Sequence, residues 1–105
     1  MSDTKTLVFT WSGIYHPAWD ATPEAYLEAG LVAWGRSRRL ARAATPAYAF
    51  TAYLGIHHNT WGENDTTRFF LSLLVGKRTI ALRTFSTLPE ALAELDAFHA
   101  RLVAP

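Results

Sequence analysis

The chain has no cysteine, which excludes a disulfide framework, a cysteine nucleophile and a thiolate metal site, and fits a reducing or an oxidising compartment equally well. Long apolar runs are missing too. Phe69 to Val75 is broken by Ser72 and falls far short of the roughly 20 residues that a membrane-crossing helix needs. Met1-Ser2-Asp3-Thr4-Lys5 feeds no basic stretch into an apolar one, so no secretory leader and no membrane are expected, and the expected location is cytoplasmic. An excess of one charge is also lacking. Ten basic against nine acidic residues leave a net charge of +1, which is no electrostatic footprint for the chain as a whole. No repeat of roughly 20–50 residues recurs, which sets aside solenoids and propellers. No Ser-His-Asp spacing, P-loop or paired-carboxylate arrangement stands out. The expectation is a protein that is not an enzyme, with no catalytic residues, no cofactor and no metal.

What the chain does have is apolar surface. Half of its 105 residues are hydrophobic and 13% are aromatic, enough for one core and too few residues for two, so a single α+β domain over 1–105 is expected. Leu7 to Trp11 reads as a short strand, and Ser12 to Asp20 as a loop in which Tyr15 and Trp19, flanking His16 and Pro17, form an aromatic plug over the core. Thr22 caps a first helix with Pro23 at its first position and Glu24 and Glu28 at the positive end of its dipole. The apolar arc Tyr26, Leu27, Gly30, Leu31, Ala33, Trp34, Leu40 and Ala41 predicts that this helix continues to about Ala44, ended by Thr45-Pro46.

From Tyr48 the period changes to 2. Tyr48, Phe50, Ala52, Leu54 and Ile56 should face the core, followed after the turn-rich stretch 59–65 by Phe69, Leu71, Leu73 and Val75 on a second strand. Gly76-Lys77 should turn the chain into a third strand, Arg78 to Phe85, with Ile80 and Leu82 inward. Thr87-Leu88-Pro89-Glu90 is a capping box for a last helix striped by Leu88, Ala91, Leu92, Leu95, Phe98 and Leu102, centred on Leu92 and Phe98. The predicted order is β-α-β-β-β-α, an antiparallel three-stranded meander on two helices with the N-terminal strand at an edge.

Tyr53-Leu54-Gly55-Ile56-His57-His58-Asn59-Thr60-Trp61-Gly62 has the spacing of the Y-R-G-V-R-x-x-x-W-G opening of the ethylene-response-factor type of DNA-binding domain, versions of which occur in phage integrases and homing endonucleases. Gly76-Lys77-Arg78-Thr79-Ile80-Ala81-Leu82-Arg83-Thr84-Phe85-Ser86-Thr87-Leu88-Pro89-Glu90-Ala91 is similar to that family's G-K-R-x-x-x-L-G-T-F-x-T-x-E-E-A segment. The resemblance covers Tyr53 to Leu102 and implies three strands against one helix, with the sheet reading bases in the DNA major groove. It differs in chemistry: Leu54, His57 and Asn59 stand where the family carries arginines, Trp61 alone matches a contact position, and Phe69-Phe70-Leu71-Ser72-Leu73 replaces its basic strand. The order α-β-β-β-α is also that of a double-stranded RNA-binding domain, and Val75 to Ile80 looks like its second hairpin. That family's phosphate-gripping lysines are replaced here by Leu88-Pro89-Glu90.

The expected function is therefore a small non-enzymatic nucleic-acid-associated module of mobile-element type. Arg36, Arg38, Arg39 and Arg42 would form a backbone clamp on the first helix, although cations at a helix C-terminus also suit the dipole. His57, Asn59, Trp61 and Arg68 would lie on the sheet, and Lys77, Arg78 and Arg83 around the hairpin. His57-His58 beside Glu63 and Asp65 reads as a solvated turn, since neighbouring strand residues point to opposite faces and cannot share one ion. The alternative is a protein-interaction module, an inhibitor, immunity or adaptor protein. It would use Tyr53, Phe70 and Leu74, which stand on the strand face opposite the core and would drive homodimerisation unless the first helix covers them.

Overall fold

A computed structural model describes residues 7–13, 15–16, 19, 22–45, 49–60 and 66–103 of the chain. The architecture is α+β, with a five-stranded antiparallel sheet in the order β1-β2-β3-β4-β5 and two helices. The strands are β1 (Phe9–Trp11), β2 (Ser37–Thr45), β3 (Phe50–Asn59), β4 (Thr66–Val75) and β5 (Arg78–Phe85), and the helices are α1 (Pro23–Glu28) and α2 (Leu88–Val103). The sheet is a plain meander whose N-terminal strand does lie at one edge. Tyr48 of the expected strand lies outside the described residues.

The largest departure from the sequence reading is the first helix. Thr22 and Pro23 start it as expected, the Thr22 hydroxyl accepting from the Ala25 amide at 3.4 Å. It stops after six residues at Glu28. Gly30 takes a left-handed backbone at φ +74°, its amide bonds the Leu27 carbonyl, and the Leu31 amide bonds the Tyr26 carbonyl, each at 3.0 Å. This pair of bonds is a Schellman closure, which satisfies the last carbonyls and needs a residue free of a Cβ penalty at Gly30. Ser37 to Thr45 is then a strand rather than the second half of a helix. Its arginines and alanines favour a helix locally, but as β2 they gain hydrogen-bonded partners on both sides, β1 and β3, and tertiary pairing overrides the weak local preference. A bulge between Arg39 and Ala41 opposite β3 buries both Leu40 and Ala41, and two adjacent apolar residues mimic a helical stripe.

Both helices cover one face of the sheet. Phe69, Leu71 and Leu73 of β4 and Phe50, Ala52, Leu54 and Ile56 of β3 are fully buried there, as the alternation predicts. Tyr26 of α1 meets Phe69 edge-on with ring centroids 5.2 Å apart, and Phe98 of α2 stacks on Phe50 at 5.6 Å. The capping box of α2 is formed: the Thr87 amide donates to Glu90 Oε1 at 3.1 Å, and the Glu90 amide donates back to the Thr87 hydroxyl at 3.4 Å. Ala91 and Leu95 are the buried centre of the α2 stripe, while Leu92 and Phe98 flank it half-buried. Tyr15 does plug the core, stacked between Trp11 at 4.7 Å and Tyr26 at 5.2 Å, with Trp19 farther out. The Tyr15 and Tyr26 hydroxyls are hydrogen-bonded to each other. Burial, and then that neighbouring hydroxyl, push the Tyr15 phenol far above the ordinary tyrosine range.

β5 corrects a second expectation. Its register slips between Leu73 and Leu74 of β4, so Leu74 faces Thr79 but Leu73 faces Ala81. Ile80 is the extra residue. Because side chains alternate with period 2, one inserted residue turns every later one over. Ala81, Arg83 and Phe85 therefore point to the helix side, and Leu82 points away. Leu82 is 66% exposed and Ile80 41%, neither of them inward.

Candidate functional site

With α1 and α2 on one side, the opposite face of the sheet is left open by the described residues. Its side chains stand in rows across the strands. Ser37, His57 and Arg68 form the first row, and Arg39, Gly55, Phe70 and Thr84 the second. Arg42, Tyr53, Ser72 and Leu82 follow, and Ala44, Thr51, Leu74 and Thr79 make the fourth. The expected partner-surface residues Tyr53, Phe70 and Leu74 thus share one face that no described helix covers, each half-buried among its neighbours.

Three local arrangements give this face its chemistry. Gly55 has no side chain, and the end of the Phe70 ring occupies the space where its Cβ would stand, a space also limited by the Arg38 carbonyl oxygen at 2.7 Å. The Phe70 ring leans across β3 in place of that missing side chain. The Arg39 guanidinium carbon sits 3.9 Å from the centre of the Tyr53 ring, a cation–π contact that holds the cation against the sheet. At the first row Ser37 Oγ and His57 Nδ1 are 2.6 Å apart, a hydrogen bond that orients the imidazole through one ring nitrogen. Arg68 is steadied in turn by donating from Nη1 to the Thr67 carbonyl at 3.0 Å. The first two rows, with the Asn59–Thr66 pair beyond them and Leu82 of the third row, border a depression of about 350 Å³, in which Phe70 and Leu82 are the apolar part and Ser37, His57, Asn59, Thr66, Arg68 and Thr84 the polar part.

Charge divides the molecule by element type. Among the described residues every carboxylate belongs to a helix, Glu24 and Glu28 on α1 and Glu90, Glu94 and Asp96 on α2, whereas the described strands carry arginines and no acid. Arg83, expected beside the hairpin with Lys77 and Arg78, is turned to the helix side by the bulge and pairs with Glu94 at 3.6 Å. Arg39, Arg42 and Arg68 on the open face meet no carboxylate among the described residues.

The eleven basic, polar and aromatic residues expected to contact nucleic acid are thus only partly brought together. Arg39, Arg42, His57, Asn59 and Arg68 share the open face. Arg38 pairs with Ile56 on the helix-side parity of β2, Arg36 lies exposed in the turn ahead of β2, and Lys77 and Arg78 sit at the β4–β5 hairpin, the far end of the sheet from His57. The clamp on a first helix does not exist, since its arginines belong to a turn and a strand. Trp61, Glu63 and Asp65 lie outside the described residues. His57 and His58 do point to opposite faces: His58 is buried, its Nδ1 2.6 Å from the Thr67 hydroxyl and its ring under Trp34 with centroids 4.0 Å apart. Sequence reasoning missed Ser37, Thr84 and Leu82 as members of the open face. Only Gly55, a glycine inside a strand and opposite an aromatic, carried a readable signal.

Comparison with family models, curated proteins and solved structures gives no match.

Proposed function

We propose that the protein binds single-stranded nucleic acid on the open face of its sheet. The observation that carries this reading is the placing of Arg39, Arg42 and Arg68 beside Phe70 and His57, with Arg39 itself laid over Tyr53, on a surface with no described carboxylate. Cations neutralise phosphates without regard to sequence, and aromatic faces accept bases by stacking, so such a platform suits an unpaired strand. A duplex suits it less. Five strands spaced about 4.8 Å apart make a sheet roughly 19 Å across, broader than the major groove of about 12 Å that the resemblance to sheet-reading DNA-binding domains would have it enter.

The test is fluorescence anisotropy with labelled single-stranded RNA, single-stranded DNA and duplex DNA of equal length. Three phosphate contacts predict a log–log salt slope of about −2 for single strands, flattened by changing Arg39, Arg42 and Arg68 to Ala. Absence of single-strand binding at about 50 mM salt, where such contacts are strongest, overturns the reading.

The exposed Leu82, on one face with Tyr53, Phe70 and Leu74, favours a second reading, in which the apolar part of the same face meets a second copy of the chain. Light scattering separates the two: a homodimer that Phe70→Ser converts to a folded monomer supports the second copy, and a wild-type monomer at high concentration removes it.

A further inference from the structure

We infer that the depression at the Ser37 end of the open face seats one nucleotide unit, its phosphate held by Arg68 and His57 and its base laid against Phe70 and Leu82. The inference rests on the single-strand reading and specifies where along the sheet a strand is gripped. Directly opposed residues on neighbouring strands put Ser37, His57 and Arg68 in one row. His57 is oriented by Ser37 Oγ at 2.6 Å from its Nδ1, so Nε2 is the nitrogen that meets a ligand. Arg68 commits one nitrogen to the Thr67 carbonyl at 3.0 Å, and the rest of its planar fork, which meets no acceptor among the described residues, has the geometry that phosphate oxygens match.

The adjoining row supplies the base site. Phe70 leans into the space above Gly55, so its ring reaches across β3 and is the aromatic group at the border of the depression. Leu82, 66% exposed, borders the same depression only because the β5 bulge turned it to this side. The volume of about 350 Å³ is at the lower end of small-ligand pockets, which run from about 300 Å³, and the Ser37 and Thr84 hydroxyls at its border offer acceptor and donor sites to a base edge. Phosphate and apolar subsites side by side, with no acid among the described residues to repel the anion, fit a nucleotide better than a sugar or a free amino acid.

The experiment is titration of the ¹⁵N-labelled protein with AMP, UMP and, separately, inorganic phosphate, followed by amide NMR shifts, beside oligonucleotide binding to the same samples. Both mononucleotides should shift His57, Arg68, Leu82 and Thr84 and leave Leu95 unmoved, and Arg68→Ala should weaken them at least about tenfold, the loss of one charge-assisted contact. Inorganic phosphate should shift His57 and Arg68 only. Phosphate that reproduces the whole pattern removes the base site. An oligonucleotide that binds through Arg39 and Arg42 while mononucleotides move none of these amides overturns the nucleotide site and leaves the single-strand reading standing. Failure of both ligands overturns both.

Discussion

The two faces of the sheet are built from the same strands by the same alternation, yet they end up chemically opposed. On the helix side Leu54, Ile56, Phe69, Leu71 and Leu73 are fully buried beneath α1 and α2, and the acids of the helices stand outside that layer. The open side keeps Tyr53, Phe70 and Leu74 half-buried and interleaves them with arginines. Apolar content separates the faces in part, since most open-side positions are polar. Closure does the rest, because a side chain is removed from water only where another element lies over it, and α1 and α2 both pack on the other side.

The largest test of this contrast is removal of a helix-side leucine. Leu71→Ala should lower stability by about 2–5 kcal/mol in urea unfolding, the loss of transfer free energy plus a cavity. A change below about 1 kcal/mol would mean that the helix side is not the tighter layer. Gly55→Ala should follow, costing about 1–3 kcal/mol by overpacking, since its new Cβ would overlap the Phe70 ring and lie 2.7 Å from the Arg38 carbonyl oxygen. Combining it with Phe70→Ala should recover part of the loss. Full recovery would show that the backbone contact costs nothing.

Tyr15 sharpens the comparison through pH. Its phenol is held neutral on the helix side, while in the unfolded chain it ionises near pH 10. Its contribution is therefore complete below about pH 10 and is lost as pH rises above it, at about 1.4 kcal/mol per pH unit. The difference between wild type and Tyr15→Phe in urea melts from about pH 8 to about pH 11 isolates that slope, and parallel curves would contradict it. The smallest effect is expected at Leu82→Ser, within about 0.5 kcal/mol for an exposed position. A larger loss would show that the open face is covered in solution.

Much of the helix side was legible because its signals are local. The alternation of β3 and β4, the Thr22-Pro23 start of α1 and the Thr87–Glu90 box each depend on neighbours within a few residues, and all are found where the sequence places them. Gly30 held the signal that ends α1, yet it also fits an apolar arc, so periodicity hid it. The open face was legible only as a parity: Tyr53, Phe70 and Leu74 follow from alternation, but Leu82 and Arg83 exchange sides at a bulge whose cause spans two strands.

The sequence by itself determined an α+β chain, the register of the β3–β4 face that packs inward, the two helix starts and the hairpin at Gly76, because each rests on contacts between near neighbours. Only the tertiary structure decided that Ser37 to Thr45 is a strand, that β5 turns Leu82 outward and Arg83 toward Glu94, and that both helices share one side. Each of these depends on which distant segment supplies the hydrogen-bond partner or the cover, and pairing between strands outweighs the fraction of a kcal/mol by which local preference distinguishes helix from strand.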